Sequence, residues 1–419
     1  MSEYTRRKFI QLTATGMAML GQGLSARAME REVKNKMKER EITVTRIQSD
    51  DATAKLGANS KALDDLTSLF ERLIEEEWHP GAQLAVFRNG ELVIELAGGR
   101  DAPSGHTITT DSLFQIRSTT KALTAMVMLR LHDQGLFSYE DPVSRHWPEF
   151  GQNGKQEITI AQVMSHSAGI PDGPLVSARQ MADRAAVAAA VEAMKPIWPP
   201  GTANGYHASS YGWVIDELIF RWKRGSVARV LQEEFIEPLG ISNVFLGLPK
   251  EHFPRMTAMV VEDRVRERQA ARARFSDFVN MYEGVKLPLS WVMGVATARD
   301  LADFMNVLTF EGTFKSHAFF SKESQKAAGT PRNEAEEMDR RLVWPVRWGL
   351  GFILGDTPHV YGTPPHPQAL GHAGGGAGVA WADPEHKLAV AFLCNRMLGG
   401  TRVWERYQKI GDQVYAAFK

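Results

Sequence analysis

Residues 116–125 read Ile116-Arg117-Ser118-Thr119-Thr120-Lys121-Ala122-Leu123-Thr124-Ala125, and this stretch opens an apolar segment that continues to Leu131. Ser118 is the only serine of the chain that is followed by a lysine three residues later, and that lysine is Lys121. Residues three apart share one face of a helix, so the amine would lie beside the hydroxyl. A serine hydroxyl becomes an effective nucleophile only when a neighbouring base takes its proton. The stretch therefore predicts a helix that begins with a nucleophile and its base.

The residues that follow Lys121 favour a buried helix. Apolar side chains from Ala122 to Leu131 surround the predicted helix almost completely, and Gly135 stands where a left-handed C-terminal cap is expected. Burial disfavours the charged form of a lysine and would lower the pKa of Lys121. The same residues also fit a serine that caps the helix and a lysine in solvent, and this short motif alone does not decide between them.

The spacing of apolar residues on either side of this helix predicts the fold class. Apolar residues at helical spacing precede Trp78, and Asn89-Gly90 separates two strand-like runs, which is a strong signal for a two-residue hairpin. Helical periods dominate from Ser118 to about residue 310. Three later strand-like runs and a closing helix cover residues 348–354, 378–382, 388–393 and 402–418. This order predicts an α/β protein of the α+β type, in which terminal helices flank an antiparallel sheet and an all-helical lobe is inserted.

The first 28 residues predict an export signal. Arg6 and Arg7 form a twin arginine, no further charge occurs between Lys8 and Arg27, and Ala26-Arg27-Ala28 offers a cleavage site of the small-x-small type. This pattern predicts a twin-arginine-type signal peptide over residues 1–28 and a periplasmic location. The alternative is a cytoplasmic protein with a basic N-terminus.

The remaining chain divides into two predicted parts. Residues 29–59 are polar and highly charged without a period, which favours a linker or a loosely docked arm. Residues 60–419 form one domain, with a sheet lobe over about 60–117 and 340–419 and a helical lobe over about 118–339. The cleft between the lobes is the expected ligand site, and Ser118 lies at the first crossing into the helical lobe.

Composition and motif content exclude several classes of function. Lysine plus arginine balances aspartate plus glutamate at 49 each, so no basic field points to nucleic acid or to an anionic membrane. The single cysteine, Cys394, excludes an internal disulfide framework, and the N-terminal uncharged segment is too short and polar for a stable membrane span. His359, His366 and His372 lack the spacing of a metal motif. Because a phosphate loop and a dinucleotide fingerprint are also missing, no metal and no cofactor is predicted.

Several motifs resemble those of the serine β-lactamase and penicillin-binding-protein superfamily, most closely its class C-like branch of esterases and related hydrolases. The resemblance covers about residues 80–397. The segments that carry it are Leu113–Lys121, Ile158–Pro171, Pro199–Gly201, Tyr206–Ala208 and Gly371–Gly375. They resemble, in order, the family's nucleophile segment, the helix and turn that follow it, a Pro-Pro-Gly turn, the Tyr-x-Asn motif and the Lys-Thr-Gly or His-x-Gly motif.

The resemblance implies a role for each of five residues. Ser118 would attack a carbonyl carbon and form an acyl-enzyme, while Lys121 and Tyr206 would share the proton, as a neutral amine or a phenolate. The backbone N–H groups of Ser118 and Gly375 would form the oxyanion hole, with Gly374 allowing a close approach of the backbone. The lysine and the tyrosine would titrate as a pair.

Two departures from the family pattern predict the substrate class. Ala208 stands where the family has asparagine, so no side-chain amide is available to bind a substrate amide. His372 replaces the lysine of β-lactamases, and near neutral pH it is often uncharged. Both changes favour a small-molecule ester over a carboxylated β-lactam. The alternatives kept open are a β-lactamase, a D-amino-acid peptidase and a non-catalytic relative that binds peptidoglycan or a partner. The sequence does not predict an oligomeric state.

Several of these residues could also have purely structural roles, and one other motif could carry the nucleophile. His372 could be a hydrogen-bonded strand residue and Tyr206 a core aromatic. Trp344 and Trp348 could wall an acyl pocket or pack in the core. Ser165-His166-Ser167-Ala168-Gly169 approximates the nucleophile elbow of α/β-hydrolases, with His372 as a partner. The elbow lacks its first glycine, and its surroundings lack alternating parallel strands and helices.

Overall fold

The computed structural model describes residues 44–48, 53, 55–174, 176–177, 180–268 and 270–418. The strands, in chain order, are β1 (Val44–Gln48), β2 (Gly81–Arg88), β3 (Glu91–Gly99), β4 (Phe114–Arg117), β5 (Val244–Leu246), β6 (Val260–Val261), β7 (Gly294–Ala296), β8 (Thr313–Phe314), β9 (His317–Ala318), β10 (Met338–Asp339), β11 (Trp344–Pro345), β12 (Ile353–Leu354), β13 (Leu370–Gly374), β14 (Gly378–Asp383), β15 (Leu388–Cys394) and β16 (Arg396–Met397).

The helices, in chain order, are α1 (Ser60–Glu75), α2 (Thr120–Asp133), α3 (Val143–His146), α4 (Ile160–Met164), α5 (Arg184–Ala193), α6 (Ser210–Lys223), α7 (Val227–Leu231), α8 (Glu237–Leu239), α9 (Asp263–Arg268), α10 (Ala270–Val279), α11 (Tyr282–Val285), α12 (Ala298–Thr309), α13 (Lys322–Gly329) and α14 (Arg402–Ala416). In the part of the chain that the structure describes, no helix combines the length and the apolar character needed to cross a bilayer.

Seven strands from the two ends of the domain form one antiparallel sheet, which confirms the predicted fold class. The strand order is β1-β3-β2-β15-β14-β13-β12, and β2 from the N-terminal side pairs with β15 from the C-terminal side. The predicted hairpin joins β2 to β3 through Asn89 and Gly90, whose φ values of 50° and 77° suit a two-residue turn.

Helices cover this sheet because each of them has one apolar side. The predicted helix α1 buries Leu63, Leu66, Phe70 and Leu73 at helical spacing and packs against β3 and α14. The helix α12 packs against β2, β14 and β15. Helix α2 is buried almost all round, as predicted, and ends before Gly135, whose φ of 73° is left-handed.

The inserted lobe differs in detail from the expected all-helical lobe over 118–339. It also contains β5 and β7, which form a three-stranded sheet with β4, and the helix α12 lies against the main sheet. An apolar helical period reports that one side of a helix is buried, but it does not report which surface covers that side. The strands β5 and β7 have three residues each, too few to establish a period of their own.

The segment expected to be a linker or arm, residues 29–59, contains a strand. Val44–Gln48 is the edge strand β1 and pairs with Ile94–Gly98 of β3. An edge strand is held by backbone hydrogen bonds on one side only, so its sequence needs no strong apolar pattern. The predicted signal peptide, residues 1–28, lies outside the described residues.

The predicted strand over 348–354 is also shorter than expected. Only Ile353–Leu354 is a strand, and Trp348 makes an isolated bridge to Ile353. The segment therefore folds back on itself, through Gly351 with a φ of 81°. This turn directs the Trp348 indole towards Asp339 instead of along a strand.

Candidate active site

Ser118 lies in the tight turn that joins β4 to α2. The helix begins at Thr120, two residues later than the sequence predicts, and the Lys121 N–H donates to the Ser118 carbonyl at 3.0 Å. Arg117, directly before the serine, has a φ of 53°, which is uncommon for a residue with a side chain. The Thr120 hydroxyl accepts the Gly294 N–H at 2.9 Å and thereby ties this turn to β7. Strained backbone of this kind concentrates at functional sites.

Lys121 is fully buried, which decides against the alternative of a lysine in solvent. Its Nζ donates to the carbonyl of Ala208 at 2.9 Å and to that of Trp291 at 3.0 Å. Burial, and next the positive charge of Arg117, lower the pKa of Lys121 well below its ordinary value. A neutral amine has two N–H groups and one lone pair. Because both N–H groups are engaged by carbonyls, the lone pair is left as a proton acceptor.

Tyr206 lies beside this amine. The Lys121 Nζ is 4.9 Å from the centre of the Tyr206 ring, and the tyrosine is half-buried. The ring stacks on Trp348 with the ring centres 5.7 Å apart and an angle of 4° between the planes. The backbone N–H of Tyr206 donates to Asp339 Oδ1 at 3.0 Å. The sequence motif therefore correctly brings Tyr206 next to Lys121, and Ser118 precedes Lys121 by one turn of chain.

His372 is buried and neutral. Burial, and next the positive potential of Lys121, lower the pKa of His372 to about 3. Its Nδ1 lies 2.8 Å from the Ala373 carbonyl. A carbonyl oxygen can only accept, so Nδ1 carries the proton and Nε2 has the lone pair. Among the described residues, Nε2 has no hydrogen-bond partner. His372 therefore offers an acceptor, and it cannot supply a positive charge to a substrate carboxylate near neutral pH.

Gly374 allows the third motif to run directly along the nucleophile turn. A Cβ on this residue would lie 2.1 Å from the Ile116 carbonyl oxygen and 2.9 Å from Thr119 Oγ1. The Thr119 hydroxyl donates to the His372 carbonyl at 3.3 Å. Gly375 follows in the turn between β13 and β14, with a left-handed φ of 49°. These contacts bring the two segments of the predicted oxyanion hole together, and the hole itself stays a prediction.

His166 is a residue of the site that the sequence does not identify as functional. It is buried, and its ring centre lies 5.0 Å from that of Tyr206 and 4.3 Å from that of Trp348. Its Nδ1 accepts the His207 N–H at 3.1 Å, so the proton resides on Nε2. Burial, followed by the neighbouring His207, lowers the pKa of His166 well below its usual range.

The rival nucleophile elbow around Ser165–Gly169 does not form. The elbow of α/β-hydrolases joins a strand of a parallel sheet to a helix. Here the helix α4 precedes the segment, and all the pairings within the main sheet are antiparallel. The Ser165 hydroxyl donates back to the Ala161 carbonyl at 2.8 Å and lies 3.2 Å from the Ser167 hydroxyl. Both serines are buried and serve local structure.

The two tryptophans that could wall an acyl pocket or pack in the core have different surroundings. Trp348 is fully buried beneath Tyr206, and its Nε1 donates to Asp339 Oδ2 at 3.0 Å. Trp344 is half-buried and stacks on Trp404 with the ring centres 6.0 Å apart. Sequence reasoning missed Asp339 and the Trp291 carbonyl, because nothing in their local sequence signals a long-range hydrogen bond.

One group of side chains within the described part of the chain has the composition of a metal site. Ligand atoms of His366, Asp383 and His386 lie within 4.8 Å of one another. Asp383, however, already accepts four hydrogen bonds, from the Tyr415 hydroxyl, His386 Nδ1 and the backbone N–H groups of Glu385 and His386. It ends β14, about 17 Å along the strand from the Gly378 end that adjoins the third motif. The group is therefore a hydrogen-bonded strand end outside the candidate active site.

The chain is similar in sequence and fold to several known proteins. The chain is 30% identical over 342 residues to Esterase/beta-lactamase LipL of Mycobacterium tuberculosis, which covers 76% of this chain and 77% of that protein. A penicillin-binding protein homologue from Caulobacter crescentus matches with a TM-score of 0.76 at 28% identity, over 90% of this chain and 100% of that chain. A family VIII carboxylesterase matches with a TM-score of 0.75 at 25% identity, over 88% and 100% of the two chains.

The model of the Beta-lactamase family matches residues 66–414, which include Ser118, Lys121, Tyr206 and the Gly371–Gly375 segment. This match confirms the family that the motifs predict. The chain belongs to the beta-lactamase family.

Proposed function

We propose that this serine hydrolase is a carboxylesterase, which cleaves small carboxylic esters through a covalent acyl-enzyme on Ser118. The observation that carries the proposal is the buried Lys121, whose two carbonyl partners leave one lone pair available as a base. Support comes from relatives that are named as esterases, among them LipL and the Esterase EstB of Burkholderia gladioli, which is 25% identical over 368 residues.

In the first half-reaction, Lys121 Nζ takes the Ser118 hydroxyl proton while Ser118 Oγ forms a bond to the ester carbonyl carbon. The carbonyl oxygen becomes an oxyanion, which the N–H groups of Ser118 and Gly375 would stabilise by about 3 kcal/mol each. The C–O bond to the alcohol then breaks, and the proton passes from Lys121 through Tyr206 to the leaving alkoxide. Tyr206 suits this relay because its ring lies beside the amine.

In the second half-reaction, a water molecule gives its proton to Lys121 and attacks the acyl carbon. The same N–H groups receive the oxyanion. The bond between the acyl carbon and Ser118 Oγ breaks, and Oγ recovers the proton from Lys121. The carboxylic acid leaves, and the enzyme returns to its starting protonation state.

The proposed substrate preference rests on the neutral state of His372. The burial that lowers the pKa of His372 to about 3 keeps it neutral at physiological pH. A β-lactam carboxylate would have no cationic partner from this residue, whereas a neutral ester needs none. Ala208 provides a backbone carbonyl to Lys121 but no side-chain amide. An alkoxide also leaves more easily than an amine, so an ester is the favoured substrate.

A chromogenic acetate or butyrate ester tests the proposal, combined with a mass measurement of the intact protein. We expect turnover and an acyl adduct that Ser118→Ala abolishes, while Ser167→Ala retains both. A lack of turnover and of adduct would favour a non-catalytic binding protein. β-Lactam hydrolysis is the second candidate, because the similar protein LipL is named as an esterase and a beta-lactamase. Turnover of a chromogenic cephalosporin at comparable kcat/KM would support that candidate.

The location of the enzyme is part of the proposal. Arg6, Arg7 and the Ala26-Arg27-Ala28 segment support export through a twin-arginine pathway to the periplasm. Fractionation of cells that produce the full chain should recover esterase activity in the periplasm. The Arg6→Lys/Arg7→Lys variant should retain it in the cytoplasm. Equal distribution of the two proteins would contradict export by this signal.

A further inference from the structure

The carboxylate of Asp339 connects two parts of the candidate active site. Asp339 is 1% exposed and ends the short strand β10. Its Oδ1 accepts the backbone N–H of Tyr206 at 3.0 Å, and its Oδ2 accepts Trp348 Nε1–H at 3.0 Å. Oδ1 also accepts the N–H groups of Arg341 and Leu342 at 2.9 and 2.8 Å. Three backbone N–H donors therefore share Oδ1, and the indole N–H is the single donor to Oδ2.

Trp348 carries the second connection to Tyr206. The indole is fully buried and lies parallel to the Tyr206 ring, with an angle of 4° between the planes. The indole also contacts the buried ring of His166 edge-on, with the ring centres 4.3 Å apart. Asp339 therefore fixes Tyr206 in two ways, through the tyrosine's own backbone and through the ring on which the phenol stacks.

We infer that Asp339 is a positioning residue for Tyr206, and this inference rests on the proposed proton relay. Tyr206 belongs to a stretch without helix or strand before α6, so local structure does not fix its phenol. The Arg340 N–H donates to the Asn204 carbonyl at 3.0 Å and ties the same stretch to the β10–β11 hairpin. Proton relays need reacting groups held within a fraction of an ångström, and a misplacement of 1 Å can cost about 100-fold in rate.

The chemistry of the carboxylate defines a diagnostic substitution. Asparagine has the shape of aspartate, but one of its two polar atoms is an N–H₂ donor. In Asp339→Asn the amide would keep its oxygen on the three backbone N–H groups and turn its nitrogen towards the Trp348 indole N–H. Two donors would then face each other beneath Tyr206. Trp348→Phe removes the indole donor while it keeps an aromatic ring under the phenol.

The experiment is a double-mutant cycle with an alkyl acetate ester as substrate, because its alkoxide needs a proton in order to leave. We expect Asp339→Asn to lower kcat about 100-fold with KM within about 3-fold, because Tyr206 delivers the proton to the leaving alkoxide. Trp348→Phe should cost less, about 10-fold in kcat. The double variant should be no slower than Asp339→Asn alone, because the two changes act on the same contact. Losses that multiply, or an unchanged kcat in Asp339→Asn, would overturn the inference.

Asp383 provides a matched control. It is also fully buried and also accepts four hydrogen bonds, but it lies at the far end of β14. Asp383→Asn should lower the melting temperature without changing kcat per folded molecule. An equal fall in kcat for both aspartate variants would assign the effect to stability and refute positioning.

Two further measurements separate folding failure from the failure of either proposal. If Asp339→Asn does not fold, Trp348→Leu removes both the donor and the stacking ring and should fall below Trp348→Phe in kcat. Equal kcat values for these two variants would count against a role for the stack. If the parent protein itself does not turn over the acetate ester, the proposed function fails, independently of Asp339.

Discussion

Two buried lysines, Lys121 and Lys155, differ in the number of groups that accept hydrogen bonds from their amines. Both are fully buried, and both donate only to backbone carbonyls. Lys155 has three acceptors, the carbonyls of Gln152, Glu192 and Met194 at 2.9, 2.7 and 2.7 Å, whereas Lys121 has two. Three acceptors satisfy an ammonium group, and two satisfy a neutral amine with one lone pair to spare.

The electrostatics follow this difference. Burial lowers the pKa of Lys155 to about 8, and the charge of Glu192 opposes that shift. The pKa of Lys121 is driven further down, because its desolvation is greater and the positive charge of Arg117 adds to it. The comparison shows how one residue type becomes either a structural cation or a base. Desolvation is the largest influence on both amines, and the number of acceptors and the sign of the neighbouring charge act in the same direction as the difference in desolvation.

Replacing each lysine by methionine gives the largest expected contrast. Lys121→Met removes the base and should lower kcat/KM for a chromogenic acetate by about 10⁴-fold, near the upper end for general acid–base catalysis. Lys155→Met leaves three buried carbonyls without their donor, so its melting temperature should fall while kcat per folded molecule stays the same. Steady-state kinetics and thermal unfolding measure both. A comparable loss of kcat in the two variants would remove the distinction.

Tyr206→Phe tests whether the amine works alone. The phenyl ring can still stack on Trp348, so the site should keep its shape while the relay to the leaving alkoxide is lost. We expect kcat to fall about 100-fold, less than in Lys121→Met, because the lone pair of Lys121 remains. The loss in kcat should be larger for an ester with a poor leaving group, such as an alkyl alcohol, than for a p-nitrophenyl ester, because p-nitrophenolate leaves without a proton. Equal losses for the two leaving groups would argue against the relay.

The pH dependence of kcat/KM should report the protonation of Lys121 and should not depend on Lys155. Only neutral Lys121 can accept a proton, so kcat/KM should fall about tenfold per pH unit below its native pKa. Because that pKa is well below the ordinary value for lysine, the enzyme should be active at pH 7. Lys155→Met should leave this acid limb in place. An acid limb near pH 10 would mean that Lys121 is charged in the folded protein.

The smallest effect is expected at His372. Because burial already lowers the pKa of His372 to about 3, His372→Gln removes no charge near neutral pH. We expect kcat/KM for an acetate ester to change about 2- to 10-fold, the worth of one neutral hydrogen bond. The acid limb should not move, and a profile measured from pH 5 to pH 9 checks this. A shift of the limb would show that the imidazole shares the proton with Lys121.

The sequence predicts those features that depend on neighbouring residues. The Asn89-Gly90 hairpin, the buried helix α2 and its Gly135 cap follow from local period and turn chemistry, and the order of motifs correctly brings Lys121 and Tyr206 together. Asp339 was not predictable, because its partner Tyr206 is 133 residues away along the chain. The burial of Lys155 could not be predicted from the sequence either. A lysine in a polar stretch is normally in solvent, and only the carbonyls that α5 and the residue after it bring to Lys155 compensate for its desolvation.

The pairing of β2 with β15 has a consequence for the time at which the protein can fold. The two central strands of the sheet are separated by about 300 residues, so a ribosome must add all of these residues before the strands can meet. Until Leu388–Cys394 emerges, β2 and β14 expose facing edges that invite pairing with other chains. We therefore expect nascent chains halted before Leu388 to require a chaperone.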